Sequence, residues 1–296
     1  MNIPYHSAEA MRSVLVAESI GHLVPQADFT GRVHTIFARA CNLACNDMLL
    51  TLCAANAGDG PTTLRLARGA AADLRGLFSI GERVTGRRGR MRTERAEIDL
   101  TRANIWRPAA PRPLLPRARI EANLQRAENG LARHRGTHES VIDRGAAPLI
   151  AALRDACGAL DRQEARRQAG RLIGLGEGLT PAGDDFLLGL LAGLEALLRG
   201  DAERHRFRDA LALEFTAHAQ GTTPIAAHFL RLAAAGHYTA SLLDLRAALL
   251  GQEHAGVVDR ALAAALAVGA TSGADTVSGL LAGLTAWVAP RPGICG

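Results

Sequence analysis

Two stretches of this chain, about ninety residues apart, repeat one another. GLTPAGDDFLLGLLAGL (178–194) and GATSGADTVSGLLAGL (269–284) align with a one-residue gap at ten identities in seventeen columns. Gly178, Thr180, Gly183, Asp185 and Gly189 fall on Gly269, Thr271, Gly273, Asp275 and Gly279. The repeat predicts two equivalent substructures, each a glycine-rich loop opening into a helix. The helix after the first loop is apolar nearly all round, so it is expected to be buried. Gly189 and Gly193 leave room on it for a close crossing.

The polar first turn of a buried helix must then lie deep in its domain. Thr180 before Pro181 reads as an N-cap followed by the residue suited to the first helical position, and Ser272 with Asp275 three residues on resembles a capping box. Free N–H groups at a helix start, with the positive end of the dipole behind them, bind phosphate or carboxylate. The candidate anion-binding residues are therefore Gly176, Glu177, Gly178, Thr180 and Gly183 in the first copy, and Thr271, Ser272 and Gly273 in the second. Asp184 and Asp185 need partners, because isolated buried charge is very costly. Capping accounts for one of them at most. They are candidate catalytic residues or candidate Mg²⁺ ligands, with Glu177 as a third oxygen donor; a capping and core-network role is the structural alternative. If the copies pack about a pseudo-two-fold axis, Asp185 and Asp275 converge on one pocket, and Asp275 joins the catalytic candidates. Between the copies, Thr222 and Thr223 stand at a further helix start with Arg231 two turns on, an arrangement that suits either an anion or plain capping. His218 and His228 are acid/base candidates, or surface and core histidines.

Up to 108 the pattern is β-like, with short alternating runs at 13–20, 32–40, 48–55 and 96–106 between turn residues. No long amphipathic helix follows any of them, which argues for a small antiparallel sheet or barrel. Four prolines within 107–119 make that stretch a linker or extended strap. Helical periodicity then covers 120–135, 147–172, 184–199, 201–219, 224–235, 242–250, 257–268 and 276–288. The expected class is α+β: a β-rich domain at 1–108, a proline-rich linker at 109–119, and an α-helical bundle at 120–296 carrying both motifs.

All 34 basic residues are arginine, since the chain has no lysine. That rules out a lysine Schiff base, a phosphate-loop lysine and a kinase lysine. A net charge of +5 permits nucleic-acid binding, but the one arginine cluster, 83–95, lacks interleaved aromatics. It reads as a solvated basic hairpin or a docking edge for an acidic partner, and no nucleic-acid partner is expected. Five cysteines (Cys41, Cys45, Cys53, Cys157 and Cys295) do not make a disulfide framework and read as reduced packing residues. Pro4, His6 and Glu9 interrupt the N-terminus before any apolar stretch, so no signal peptide is expected. Acidic residues interrupt the most apolar runs, so no membrane span is expected either. The expected location is cytoplasmic. No Gly-x-Ser-x-Gly elbow, His-Glu-x-x-His motif or dinucleotide fingerprint occurs.

GEGLTPAGDDFLLGLLAGL (176–194), GTTPIAAHFLRLAAAGHY (221–238), GATSGADTVSGLLAGL (269–284), GRVHTIFARACNL (31–43) and LLTL (49–52) resemble a bacterial family of unknown-function domains. That family includes the small subunit of oxamate carbamoyltransferase, an enzyme of anaerobic allantoin degradation and purine nitrogen catabolism. The resemblance covers most of the chain. It implies a transferase subunit that works with other subunits in a hetero-oligomer. The reaction implied converts oxalurate and phosphate to oxamate and carbamoyl phosphate, so the partners expected are small anionic substrates and companion subunits. The second copy departs from the first in having Ala274-Asp275 where the first has the Asp pair. A stand-alone metal-dependent hydrolase with paired Asp, and a non-catalytic metabolite-sensing or scaffold subunit, are the alternative readings.

Overall fold

A computed structural model describes residues 12–70, 73–136, 140, 142, 145–251 and 254–288. The readings made for the N-terminus and for Cys295 lie outside these residues. The chain forms two compact units, divided between Pro108 and Ala109.

The first unit is a nine-stranded sheet of β1 (Ser13–Gly21), β2 (Phe29–Ile36), β3 (Ala40–Cys45), β4 (Met48–Cys53), β5 (Thr63–Leu66), β6 (Arg83–Arg87), β7 (Arg90–Arg92), β8 (Ala96–Asp99) and β9 (Asn104–Trp106). Its order is β5-β4-β3-β2-β6-β7-β8-β1-β9, and β1 also pairs back onto β5, so eight strands close into a barrel. β1 makes this possible. Its first half pairs with β8, its end with β9, and its other edge with β5, across a register shift between Ala17 and Ser19 of the kind that bends a strand. Alternation predicts an antiparallel sheet, and six ladders are antiparallel. The β1–β8, β1–β9 and β4–β5 ladders are parallel. For β4–β5 the connection over 54–62 returns the chain to the starting end before β5 begins, a path that periodicity does not reveal. The inward positions, among them Leu43, Leu50, Leu52, Leu64, Val84, Met91 and Ile98, form the core. Cys41, Cys45 and Cys53 are buried in it. Burial pushes their thiols up to about 12, 11 and 12, with Glu82 adding to the effect at Cys41. The arginine cluster is the β6–β7 hairpin, and within it Arg90 and Arg92 both meet Glu97 of β8, at 2.5 and 2.7 Å.

The second unit is helical. Among the described residues it has nine α-helices: α1 (Arg117–Arg135), α2 (Ala147–Ala159), α3 (Arg162–Leu172), α4 (Ala182–Glu195), α5 (Ala202–Ala217), α6 (Pro224–Ala234), α7 (Ala240–Gly251), α8 (Ala255–Leu266) and α9 (Ser272–Val288). The α+β class is therefore as expected. Of the expected linker, residues 109–116 are non-helical and 117–119 already belong to α1; the Leu115 N–H donates to the Leu250 carbonyl at 2.8 Å. The single helix expected over 147–172 is two. Leu160 adopts a left-handed φ of 56°, and Asp161 caps α3 by accepting from the Glu164 N–H. No described helix is long and apolar enough to cross a membrane.

The two repeats form the centre of this unit. A Cβ added at Gly189 would lie 1.9 Å from the Thr276 carbonyl oxygen, and one at Gly279 would lie 1.8 Å from that of Phe186. Gly193 and Gly283 show the same reciprocity, at 2.5 Å from the carbonyl oxygens of Leu280 and Leu190. Each contact equals its partner with the copies exchanged, which is the signature of a pseudo-two-fold axis through the α4–α9 crossing. Backbone meets backbone there, so no side chain fits.

Candidate functional site

The pseudo-two-fold brings the two helix starts together. Thr180, just before α4, and Ser272, the first residue of α9, share a hydrogen bond of 2.8 Å between their hydroxyls. Thr180 is therefore not the N-cap the sequence suggests: Pro181 holds that place without a side-chain cap, and the Thr180 hydroxyl turns to the other copy. Ser272 likewise lies inside the helix, and the Asp275 N–H donates to the Thr271 carbonyl at 3.0 Å. Tertiary contact has displaced local capping in both copies.

Asp184 and Asp185 part company at this point. Adjacent helical residues project about 100° apart. Asp184, 2% exposed, accepts from the Gly174 N–H at 3.1 Å and from the Thr222 hydroxyl. It ties the glycine loop to the loop before α6. Burial raises its pKa, against the pull of those two donors. Gly174 has a left-handed φ of 72°, and a Cβ there would lie 2.4 Å from the Gly221 carbonyl, so the tie requires glycine. Thr223 caps α6 through the Ala226 N–H at 3.1 Å and donates its hydroxyl to the Leu179 carbonyl. Thr222 and Thr223 thus fasten the loops.

Asp185 faces the second copy. It is 8% exposed, and its Oδ2 is buried with no hydrogen-bond partner among the described residues. Burial pushes its carboxyl up to about 8; the hydroxyls of Ser272 and Thr180 pull it down, and the charges of Asp275 and Asp184 push it further up. Asp275, fully buried, stands with its Oδ1 3.4 Å from the Arg135 guanidinium at the end of α1. Asp185 and Asp275 converge as the repeat implies. Arg135, which sequence reasoning passes over, lies 140 positions from its partner and carries no local mark.

The remaining candidates are scattered. The N–H groups of Gly183 and Gly273 already donate to the Leu175 and Val268 carbonyls, at 2.8 and 2.9 Å. Both glycines serve close approach, their added Cβ atoms falling 1.9 and 2.3 Å from the carbonyl oxygens of Leu172 and Ala265. Gly176, Glu177 and Gly178 line the partly exposed loop, and Thr271 is half-buried. Arg231 is exposed on α6, where its charge acts on His228. Burial first, and that charge second, lower buried His228 to about 4, so it is neutral. His218 is exposed, its Nδ1 3.1 Å from Glu214. Among the described residues no three His, Cys, Asp or Glu side chains are grouped to hold a metal ion. Asp184, Asp185 and Glu177, the expected Mg²⁺ donors, therefore do not form such a group.

Residues 172–284, which span both repeats and the segment between them, match the model described as oxamate carbamoyltransferase subunit AllH. Residues 11–105 match the AllH family N-terminal domain. No solved structure matches the chain. Two models of one family together cover most of the sequence, one on each compact unit, and the chain belongs to the AllH family of oxamate carbamoyltransferase subunits.

Proposed function

We propose that this chain is a working subunit of an oxamate carbamoyltransferase-type enzyme, and that its paired glycine loops form part of the active site. The reaction is oxalurate plus phosphate to oxamate plus carbamoyl phosphate, carried out with companion subunits in purine nitrogen catabolism. A phosphate oxygen bonds to the carbamoyl carbon, the bond from that carbon to the oxamate nitrogen breaks, and the nitrogen leaves with a proton. Such chemistry needs a proton donor at the leaving nitrogen and donors for the oxygen of the tetrahedral intermediate. Asp185, held neutral near pH 7, supplies the first. The hydroxyls of Thr180 and Ser272 supply the second. Asp275 with Arg135 sets the charge beside them, and Asp184 is a positioning residue that keeps the loop in place. The carboxylate of the anionic substrate is met by the loop of Gly176, Glu177 and Gly178, whose N–H groups donate to no backbone acceptor among the described residues.

The observation that carries this reading is the meeting of the two first turns, joined by the Thr180–Ser272 hydrogen bond beside Asp185. Its test is carbamoyl phosphate formation by the purified complex carrying Asp185→Ala. The expected result is a loss of about 100-fold or more with assembly intact, the scale of a missing general acid. Undiminished turnover would overturn it.

A further inference from the structure

The helix starts that the sequence marks for an anion carry their own carboxylates. Asp184 takes up the Gly174 N–H, and Asp185 and Asp275 occupy the first turns of α4 and α9, where a bound phosphate would otherwise meet the positive ends of the two dipoles. A phosphate placed there would face three buried carboxyl groups. What the two first turns offer is a different pattern: a buried oxygen on Asp185 with no hydrogen-bond partner among the described residues, a second carboxyl on Asp275 beside Arg135, and the two linked hydroxyls of Thr180 and Ser272, both partly exposed.

We infer that this site binds the neutral amide end of the substrate, the –CO–NH₂ shared by oxamate and the carbamoyl group, through Asp185, Asp275, Thr180 and Ser272, and that the attacking phosphate, which must reach the carbamoyl carbon, is anchored by groups other than these four. A primary amide has two N–H donors and one carbonyl acceptor. A carboxyl that keeps its proton gives an O–H to the carbonyl while a neighbouring carboxylate oxygen accepts from the NH₂. Burial of Asp185 and the charge of Asp275 favour that protonated form, and the hydroxyls can serve either end. An amide bound this way gives the buried Asp185 Oδ2 a partner, and an analogue lacking the NH₂ forfeits the donor that the neighbouring carboxylate accepts from.

This inference rests on the reading above, and kinetics separate the two. In the assembled enzyme, Asp185→Asn and Asp275→Asn are each expected to raise KM for oxalurate at least tenfold and to leave KM for phosphate within twofold. Ser272→Ala is expected to move oxalurate alone by a smaller factor. A rise in KM for phosphate with that for oxalurate unchanged overturns the amide assignment while leaving the site in place; unchanged KM and kcat in all three variants overturn both. Should a variant be inactive, equilibrium dialysis of oxamate and of inorganic phosphate against the folded complex makes the same distinction, with loss of oxamate binding alone expected and loss of phosphate binding alone overturning the assignment.

Discussion

Asp185 is a carboxyl whose proton is held by its surroundings. Its value is near 3.8 when unfolded and about 8 in the fold, because burial and the nearby negative charges disfavour ionisation more than two hydroxyls favour it. Between those pH values the folded chain binds more proton than the unfolded one. Stability from this group is fully present below about pH 4, falls as pH rises, and is gone above about pH 8. Asp185→Asn, which cannot ionise, is expected to lose less stability than the parent between pH 5 and pH 8 in urea unfolding. Parallel losses in the two proteins would show that Asp185 is ionised in the fold. Asp184 and Asp244, also raised by burial, leave a smaller slope in both. At this scale the repeat made the meeting of Asp185 and Asp275 legible. It could not show that Asp184 turns away to Gly174 and Thr222, nor that Arg135 arrives from α1, because both depend on where distant loops and helix ends come to rest.

Between elements, the decisive contact is the crossing of α4 and α9. Gly189 and Gly279 are in ordinary helical backbone, so a methyl group there costs nothing conformationally; the cost is steric, at 1.9 and 1.8 Å from an opposing carbonyl oxygen. Gly189→Ala is expected to destabilise the protein by about 3 kcal/mol or more, the upper range for overpacking. Gly170→Ala, in α3 with open space around it, should cost nothing sterically and add about 0.5–1 kcal/mol through helix propensity. Urea midpoints of the two variants make the comparison, and equal midpoints would mean the helices can part without penalty. Most of the helices are readable from 3.6-residue periodicity because they bury one face, whereas α4, buried nearly all round, is marked by its unbroken apolar run and by the repeat. Two strands, β3 and β5, were not singled out, since four to six residues give alternation too little length to stand out. The split at Leu160 was equally hidden, because a left-handed leucine has no sequence signal of the kind glycine gives.

The molecule as a whole holds two hydrophobic cores that share no residue. One lies within the barrel and runs from Leu15 to Leu100; the other lies among the helices and runs from Ile120 to Trp287. A unit with its own core and no missing wall can fold alone. The barrel also closes on itself through the β1–β5 ladder, so cutting the chain after Pro108 breaks none of the pairings that close it. The helical unit keeps the α4–α9 crossing, the Thr180–Ser272 bond and Arg135, because all of these lie after Ala109. A fragment of residues 109–296 is therefore expected to give a helical far-ultraviolet circular dichroism spectrum, one cooperative thermal transition, and no binding of the dye ANS. A broad melt with strong ANS binding would mean that the helices collapse without fixed packing unless the barrel is attached. The Asp185→Asn comparison repeated in the fragment should give the same pH slope as in the full chain, since every group that sets the proton on Asp185 belongs to the helical unit.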